Sequence, residues 1–129
     1  MKESICVIDD DQIYQLIIKK VVEHTGDFDS ISFYNDGIEA FEDFKSPEKS
    51  LPEIILLDIN MPKMDGWQFL DNLKLHRPNF HQKTIVYIVT SSIAHSDRDK
   101  AKSYKEVSGF LSKPLSVEKL KEIADKHRK

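Results

Sequence analysis

The residues able to do chemistry in this 129-residue chain stand where apolar runs end. Asp9, Asp10 and Asp11 follow Ile5-Cys6-Val7-Ile8, and Asp58 follows Ile54-Ile55-Leu56-Leu57. Thr90 and Ser91 follow Ile85-Val86-Tyr87-Ile88-Val89, and Lys113 follows Gly109-Phe110-Leu111-Ser112. Carboxylates held close together repel and resist ionising together. A divalent cation relieves that repulsion. An all-oxygen ligand set selects a hard ion such as Mg²⁺, which keeps several waters and needs only a few protein carboxylates. A lysine adds a point positive charge and a threonine adds a hydroxyl donor. Carboxylate nucleophile, metal, lysine and hydroxyl are the parts needed to move a phosphoryl group onto an aspartate.

Those residues must be brought together by the elements that carry them. Continuous β-rich runs such as 5–8, 54–57 and 85–89 read as central strands covered on both faces, as in a parallel sheet. The run 30–34 alternates and suits an edge strand, and a fifth short run spans 109–111. Helical spacing predicts five helices between and after them. Over 12–24 the inward face is expected to carry Ile13, Leu16, Ile17 and Val21, with Ile18 and Val22 beside it, and Asp11 reads as a cap. Over 37–45 it is expected to carry Ile38, Phe41 and Phe44, with Asp36 as N-cap. Over 65–76 it is expected to carry Phe69, Leu70 and Leu73, with Asp65 as cap. The segment 96–105 offers only Ala101 and Tyr104. The last, 116–127, offers Val117, Leu120, Ile123 and Ala124, with Ser116 as a cap lacking a capping box. Strand and helix thus alternate five times, which predicts an α/β sandwich with right-handed crossovers. In open sheets of this kind ligands bind beyond the carboxyl ends of the strands. Asp9, Asp10, Asp58, Thr90 and Lys113 should therefore share one crevice.

Composition bounds the rest. A length of 129 residues is one domain's worth, and 40% hydrophobic with 9% aromatic residues excludes a disordered chain. The net charge of −3 argues against a nucleic-acid-binding surface over the whole domain. The last quarter, from residue 95, is nonetheless basic, which marks either a solvated helix face or a candidate partner surface. The lone Cys6 cannot form an internal disulfide and suits a reducing compartment, so the cytoplasm is the default. No apolar stretch is long enough to span a membrane.

Four stretches in order make the chain resemble the receiver domain of two-component response regulators. They are Val7-Ile8-Asp9-Asp10-Asp11, Leu56-Leu57-Asp58-Ile59-Asn60-Met61-Pro62-Lys63-Met64-Asp65-Gly66, Val89-Thr90-Ser91 and Gly109-Phe110-Leu111-Ser112-Lys113-Pro114. The resemblance implies a doubly wound (βα)5 sandwich with a flavodoxin-like parallel sheet of strand order 2-1-3-4-5. It implies that residues 1–129 form a single receiver domain with no output domain. Asp58 would be the phosphoacceptor. Mg²⁺ would be held by Asp10, Asp58 and the Asn60 backbone carbonyl, with Asp9 assisting through water. Thr90 and Lys113 would contact the phosphoryl oxygens, Phe110 would take the place of the switch aromatic, and a cis bond would join Lys113 to Pro114. The expected donor is a sensor histidine kinase or a histidine phosphotransfer protein. The expected output is a downstream protein target reached through the face made by the fourth helix, fifth strand and fifth helix, without direct DNA binding. The chain would not be an enzyme beyond self-catalysed phosphoryl transfer and hydrolysis. It departs from the family pattern at Ser91, at Phe110 (where a tyrosine is frequent), in the Ser91–Ser96 connection and at Lys105-Glu106-Val107-Ser108.

Two other readings compete. A haloacid-dehalogenase-type phosphatase would use Asp9 as nucleophile in the Asp-x-Asp spacing. It needs a further acidic pair after the lysine strand, where the one candidate nearby is the weakly placed Glu118, and it leaves Asp58 unexplained. A pseudo-receiver binding module would lack Asp10, Asp58 or Lys113, and all three are present.

Overall fold

The computed structural model describes residues 3–91 and 95–127. Five parallel strands, β1 (Glu3–Ile8), β2 (Phe28–Tyr34), β3 (Ile54–Leu57), β4 (Ile85–Thr90) and β5 (Val107–Ser112), form one sheet of order β2-β1-β3-β4-β5. They alternate with α1 (Gln12–Thr25), α2 (Gly37–Phe44), α3 (Gly66–His76), α4 (His95–Lys102) and α5 (Val117–His127), and a 3₁₀ turn, Phe80–Gln82, precedes β4. The chain folds as the α/β sandwich that its runs predict, with the flavodoxin-like strand order that the resemblance implies. Residues 92–94 of the Ser91–Ser96 connection lie outside the described residues.

The period of two along each strand sorts the core into two layers. Cys6, Ile8, Ile55, Leu57, Val86 and Ile88 face α2, α3 and α4, where they meet Ala40, Phe44, Phe69, Leu70, Leu73 and Ala101. Ile5, Val7, Ile54, Leu56, Tyr87 and Val89 face α1 and α5, where they meet Tyr14, Ile18, Val22, Leu120 and Ile123. The central strands therefore read as unbroken apolar runs. β2 is partly exposed as an edge. β5 is the other edge, and its side chains are only half buried. The Cys6 thiol is free and fully buried, and burial pushes it up to about 12.

Caps fall where the sequence puts them. Asp11 accepts from the amides of Ile13 and Tyr14. Asp36 accepts from Glu39 N–H, and Asp65 and Gln68 close a reciprocal capping box. Ser116 Oγ accepts from Lys119 N–H. The α4 helix stops at Lys102 instead of reaching 105. Ser103 returns its hydroxyl to the Lys100 carbonyl, and Tyr104 N–H closes a tighter turn on Ala101. With Ala101 the one buried apolar anchor among its described residues, this helix has little packing to carry it further.

The inward face of α1 is not the expected one. Ile13, Leu16 and Ile17 are 72%, 64% and 47% exposed, whereas Tyr14, Ile18 and Val22 are buried and Val21 is half buried. Two apolar stripes overlap on this helix, and periodicity does not choose between them. The choice is made at the first turn. Asp11 N–H donates to Asp9 Oδ1 while its side chain caps the helix, so the helix is hooked to the end of β1 in a fixed phase. That phase turns residue 14 and its i+4 and i+8 neighbours toward the sheet. Ile38 is likewise at the surface, and Ala40 and Phe44 are the buried anchors of α2, with Phe41 packed at the margin.

This helix phase predicts unequal costs for similar truncations. Ile18→Ala should lose about 2–4 kcal/mol by leaving a cavity. Leu16→Ala should stay within about 0.5 kcal/mol of the parent. Urea unfolding followed by circular dichroism would measure both, and equal losses would return Leu16 to the core.

Candidate functional site

Asp9, Asp58 and Lys113 are each pinned through the backbone to a neighbouring strand. Asp9 N–H donates to the Tyr34 carbonyl of β2, and Asp58 N–H donates to the Ile8 carbonyl of β1. Lys113 N–H donates to the Thr90 carbonyl of β4. Gln15 on α1 reaches back to donate to the Asp9 carbonyl at 2.7 Å, fixing the loop after β1. The parallel register aligns Ile8 with Leu57 and Leu57 with Ile88. One step beyond that row, Asp9 and Asp58 emerge side by side at the carboxyl edge.

The β3–α3 loop is held as closely. Gly66 opens α3 against the backbone of Asp58 and Ile59. A Cβ at position 66 would sit 2.7 Å from the Asp58 carbonyl oxygen and 2.8 Å from Ile59 Cα. Only glycine permits that approach. Asn60 N–H donates to Asp58 Oδ1 at 3.1 Å, and the Asn60 amide donates to Thr90 Oγ1 at 3.2 Å. Thr90 is fully buried.

Carboxylate oxygens of Asp9, Asp10 and Asp58 lie within 4.8 Å of one another, Asp10 exposed and the other two buried. Lys113 Nζ stands 2.6 Å from Asp9 Oδ2 and 3.4 Å from Asp58 Oδ2. The Lys113–Pro114 bond is cis. Burial raises Asp9 above the ordinary carboxylate range even though Lys113 and the Asp11 N–H favour its charge. Burial also raises Asp58, with the Asp9 charge adding to it, against the Asn60 N–H and Lys113. Burial alone would lower Lys113, but its contacts with Asp9 and the charge of Asp58 prevail and raise it.

With all three acids ionised, one ammonium leaves the crevice two charges negative. A divalent cation restores the balance, and three carboxylates at this spacing are a hard, all-oxygen donor set. The residues present therefore fit Mg²⁺.

The structure brings Asp9, Asp10, Asp58, Thr90 and Lys113 to one end of the sheet, as their positions after the apolar runs imply, and Asn60 with them, as the resemblance implies. Phe110 sits apart on β5, half buried, with the Arg98 guanidinium over its ring at 5.5 Å. Asp11 is a helix cap. Three participants escape a reading of the sequence: the Asn60 side chain, Gln15 and Tyr14, whose ring lies 4.4 Å from Lys113 Nζ. The available signal was position alone, since Tyr14 and Gln15 fall in the first turn of the helix that follows the acids.

A family model described as the response regulator receiver domain matches residues 5–125. The chain belongs to that family. It is 31% identical over 124 residues to a probable methanogenesis regulatory protein, FilR2, of Methanothrix harundinacea, covering 94% of this chain and 78% of that protein. Several longer relatives are spanned for less than a quarter of their own length. Among solved structures, a two-component response regulator from Cytophaga hutchinsonii superposes with a TM-score of 0.87 at 30% identity, covering 98% of this chain and 97% of that one. The receiver domain of sensor histidine kinase PA1611 from Pseudomonas aeruginosa, solved with a magnesium ion coordinated in its active site cleft, shares the fold with a TM-score of 0.77 at 18% identity, covering 98% and 97%. This receiver has an acidic pocket of Asp9, Asp10 and Asp58 able to hold a metal ion, and it is a signalling module rather than a metabolic enzyme. Among the described residues no helix is long and apolar enough to cross a membrane.

The raised acids fix the sign of a pH effect. In the window between the ordinary carboxylate range and the raised value, the folded protein binds more protons than the unfolded chain. The contribution of Asp58 to stability therefore falls as pH rises through that window. Metal-free Asp58→Asn should melt higher than the parent at pH 7, and the gap should shrink as pH is lowered into the carboxylate range. Millimolar Mg²⁺ should raise the parent's melting temperature more than the variant's. A lower melting temperature for the variant at pH 7 without metal would make the Asp58 charge a stabilising partner of Lys113.

Proposed function

We propose that residues 1–129 work as one receiver unit that accepts a phosphoryl group on Asp58 from a partner's phosphohistidine, in the cytoplasm. The observation that carries this reading is the Asp58 carboxylate lying 3.4 Å from Lys113 Nζ, with Asp9 and Asp10 within 4.8 Å. A bound Mg²⁺ would draw charge from the transferring phosphoryl oxygens, held by Asp9, Asp10, Asp58 and the Asn60 carbonyl. An Asp58 carboxylate oxygen attacks phosphorus as the phosphorus–nitrogen bond breaks, and the leaving imidazole keeps the electron pair and takes a proton from solvent. Lys113 exchanges part of its contact with Asp9 for a phosphoryl oxygen. Hydrolysis of the acyl phosphate returns phosphate and the free carboxylate.

A donor must approach over the mouth of the crevice, beside the first turns of α1. The exposed Ile13, Leu16 and Ile17 lie on those turns and supply apolar surface for a kinase or phosphotransfer helix. Output runs through Thr90. A phosphoryl group draws the Thr90 hydroxyl away from its Asn60 contact. Phe110 moves inward as Arg98 releases its ring, which reshapes the α4–β5–α5 face. A cavity of 280 Å³ lined by Arg98, Ala101, Lys102, Val107, Ser108, Gly109 and Phe110 already opens there. Its basic rim favours an acidic protein target over direct DNA binding.

Acetyl phosphate with Mg²⁺ should add one phosphoryl group to the protein, read by intact-mass spectrometry, and none to Asp58→Asn. Leu16→Asp should keep that labelling but slow transfer from a phosphorylated histidine donor by about tenfold. Labelling of Asp58→Asn at the parent's level would move the nucleophile elsewhere, with Asp9 the first suspect.

A further inference from the structure

Tyr14 is absorbed neither by the metal site nor by the nucleophile. It is 6% exposed on the buried stripe of α1, and its hydroxyl is buried without a hydrogen-bond partner among the described residues. The ring itself has a partner. Lys113 Nζ lies 4.4 Å from the ring centroid, inside the range in which an ammonium is attracted to an aromatic face. That ammonium also lies 2.6 Å from Asp9 Oδ2 and 3.4 Å from Asp58 Oδ2. It is thus bounded by two carboxylates and one π-face.

We propose that Tyr14 is a positioning residue for Lys113, its ring holding the ammonium between Asp9 and the reacting oxygen of Asp58. The proposal rests on the reading of Asp58 as phosphoacceptor. A lysine has a flexible four-carbon stem and three N–H donors. A carboxylate or carbonyl in place of the ring would occupy one of those donors and compete with an incoming phosphoryl oxygen. The aromatic face restrains the ammonium and excludes water while leaving its N–H groups free. The phenol stays neutral, since burial and the charges of Asp9 and Asp58 push its ionisation far above the usual range. The hook that sets the phase of α1 also sets this contact, because Asp11 accepts from Tyr14 N–H at 3.1 Å. The hydroxyl contributes nothing to the ring contact, so phenylalanine should replace tyrosine here.

The test follows acetyl phosphate labelling rate and the Lys113 Hε proton shifts in the full chain. In the parent, ring current should move those protons upfield of the other lysines. Tyr14→Phe should keep that shift and label within about threefold of the parent. Tyr14→Leu should lose it and label at least about tenfold more slowly at saturating donor, with Mg²⁺ affinity unchanged. Val22→Ala, further along the same stripe, controls for lost packing and should label at the parent rate. If Tyr14→Leu does not fold, Tyr14→Met takes its place. Parent Lys113 protons resonating with the exposed lysines would overturn the proposal, as would Tyr14→Leu labelling at the parent rate. A Tyr14→Phe defect as large as that of Tyr14→Leu would also overturn it. A parent that takes no label while keeping the ring-current shift would overturn the phosphoacceptor reading and leave the Tyr14–Lys113 contact standing.

Discussion

Two buried carboxylates that cannot separate are the constraint on which this receiver depends. Asp9 and Asp58 leave adjacent parallel strands one step beyond the same register row, and each is tied by its own N–H to the neighbouring strand. Neither can retreat into water without breaking the sheet's edge. Burial makes both reluctant to ionise, and Lys113 is the counter-charge that makes the pair tolerable. A buried ion pair of this kind is weak evidence of stabilisation, because desolvation offsets much of the attraction. Its value lies in readiness. With its acids ionised the crevice is short of positive charge, so it gains from a cation that arrives.

The surrounding structure supplies fixed geometry on each side of that pair. Asp11 hooks α1 to the end of β1. Gln15 holds the Asp9 carbonyl. Gly66 lets α3 start in contact with the backbone that carries Asp58, and the capping box at Asp65 and Gln68 satisfies the backbone N–H groups of those two residues. The site is therefore assembled largely from backbone contacts within and beside a buried sheet. Such contacts hold side-chain positions more tightly than surface loops do.

Packing thins out away from that pair. β1, β3 and β4 are buried almost throughout, while β5 is an edge strand with half-buried side chains. The α4 helix is anchored through Ala101, and the turn that follows it through the tilted ring contact of Tyr104 with Trp67. Few buried apolar contacts mean a low cost of local rearrangement. The face with least packing is thus the one that also carries the basic residues, and it is joined to the crevice through Thr90 and Lys113.

The chain's pattern alone determined the alternation of five strands and five helices, the burial of the central strands, the caps at Asp11, Asp36, Asp65 and Ser116, and the meeting of Asp9, Asp10, Asp58, Thr90 and Lys113. These follow from short-range rules: apolar runs make buried strands, short polar side chains cap helices, and parallel strands present their carboxyl ends together. What only the tertiary structure decided was the rotation of each helix and the second layer of contacts. Ile13, Leu16 and Ile17 have the same periodicity as a core stripe, yet they face outward because the Asp11 hook turns Tyr14, Ile18 and Val22 inward. Tyr14 meets Lys113 across 99 positions of chain, and the Asn60 amide meets Thr90 across 30. Contacts between residues so far apart depend on where packing sets each element, and a periodicity of 3.6 or 2 fixes which residues share a face without fixing which way that face turns.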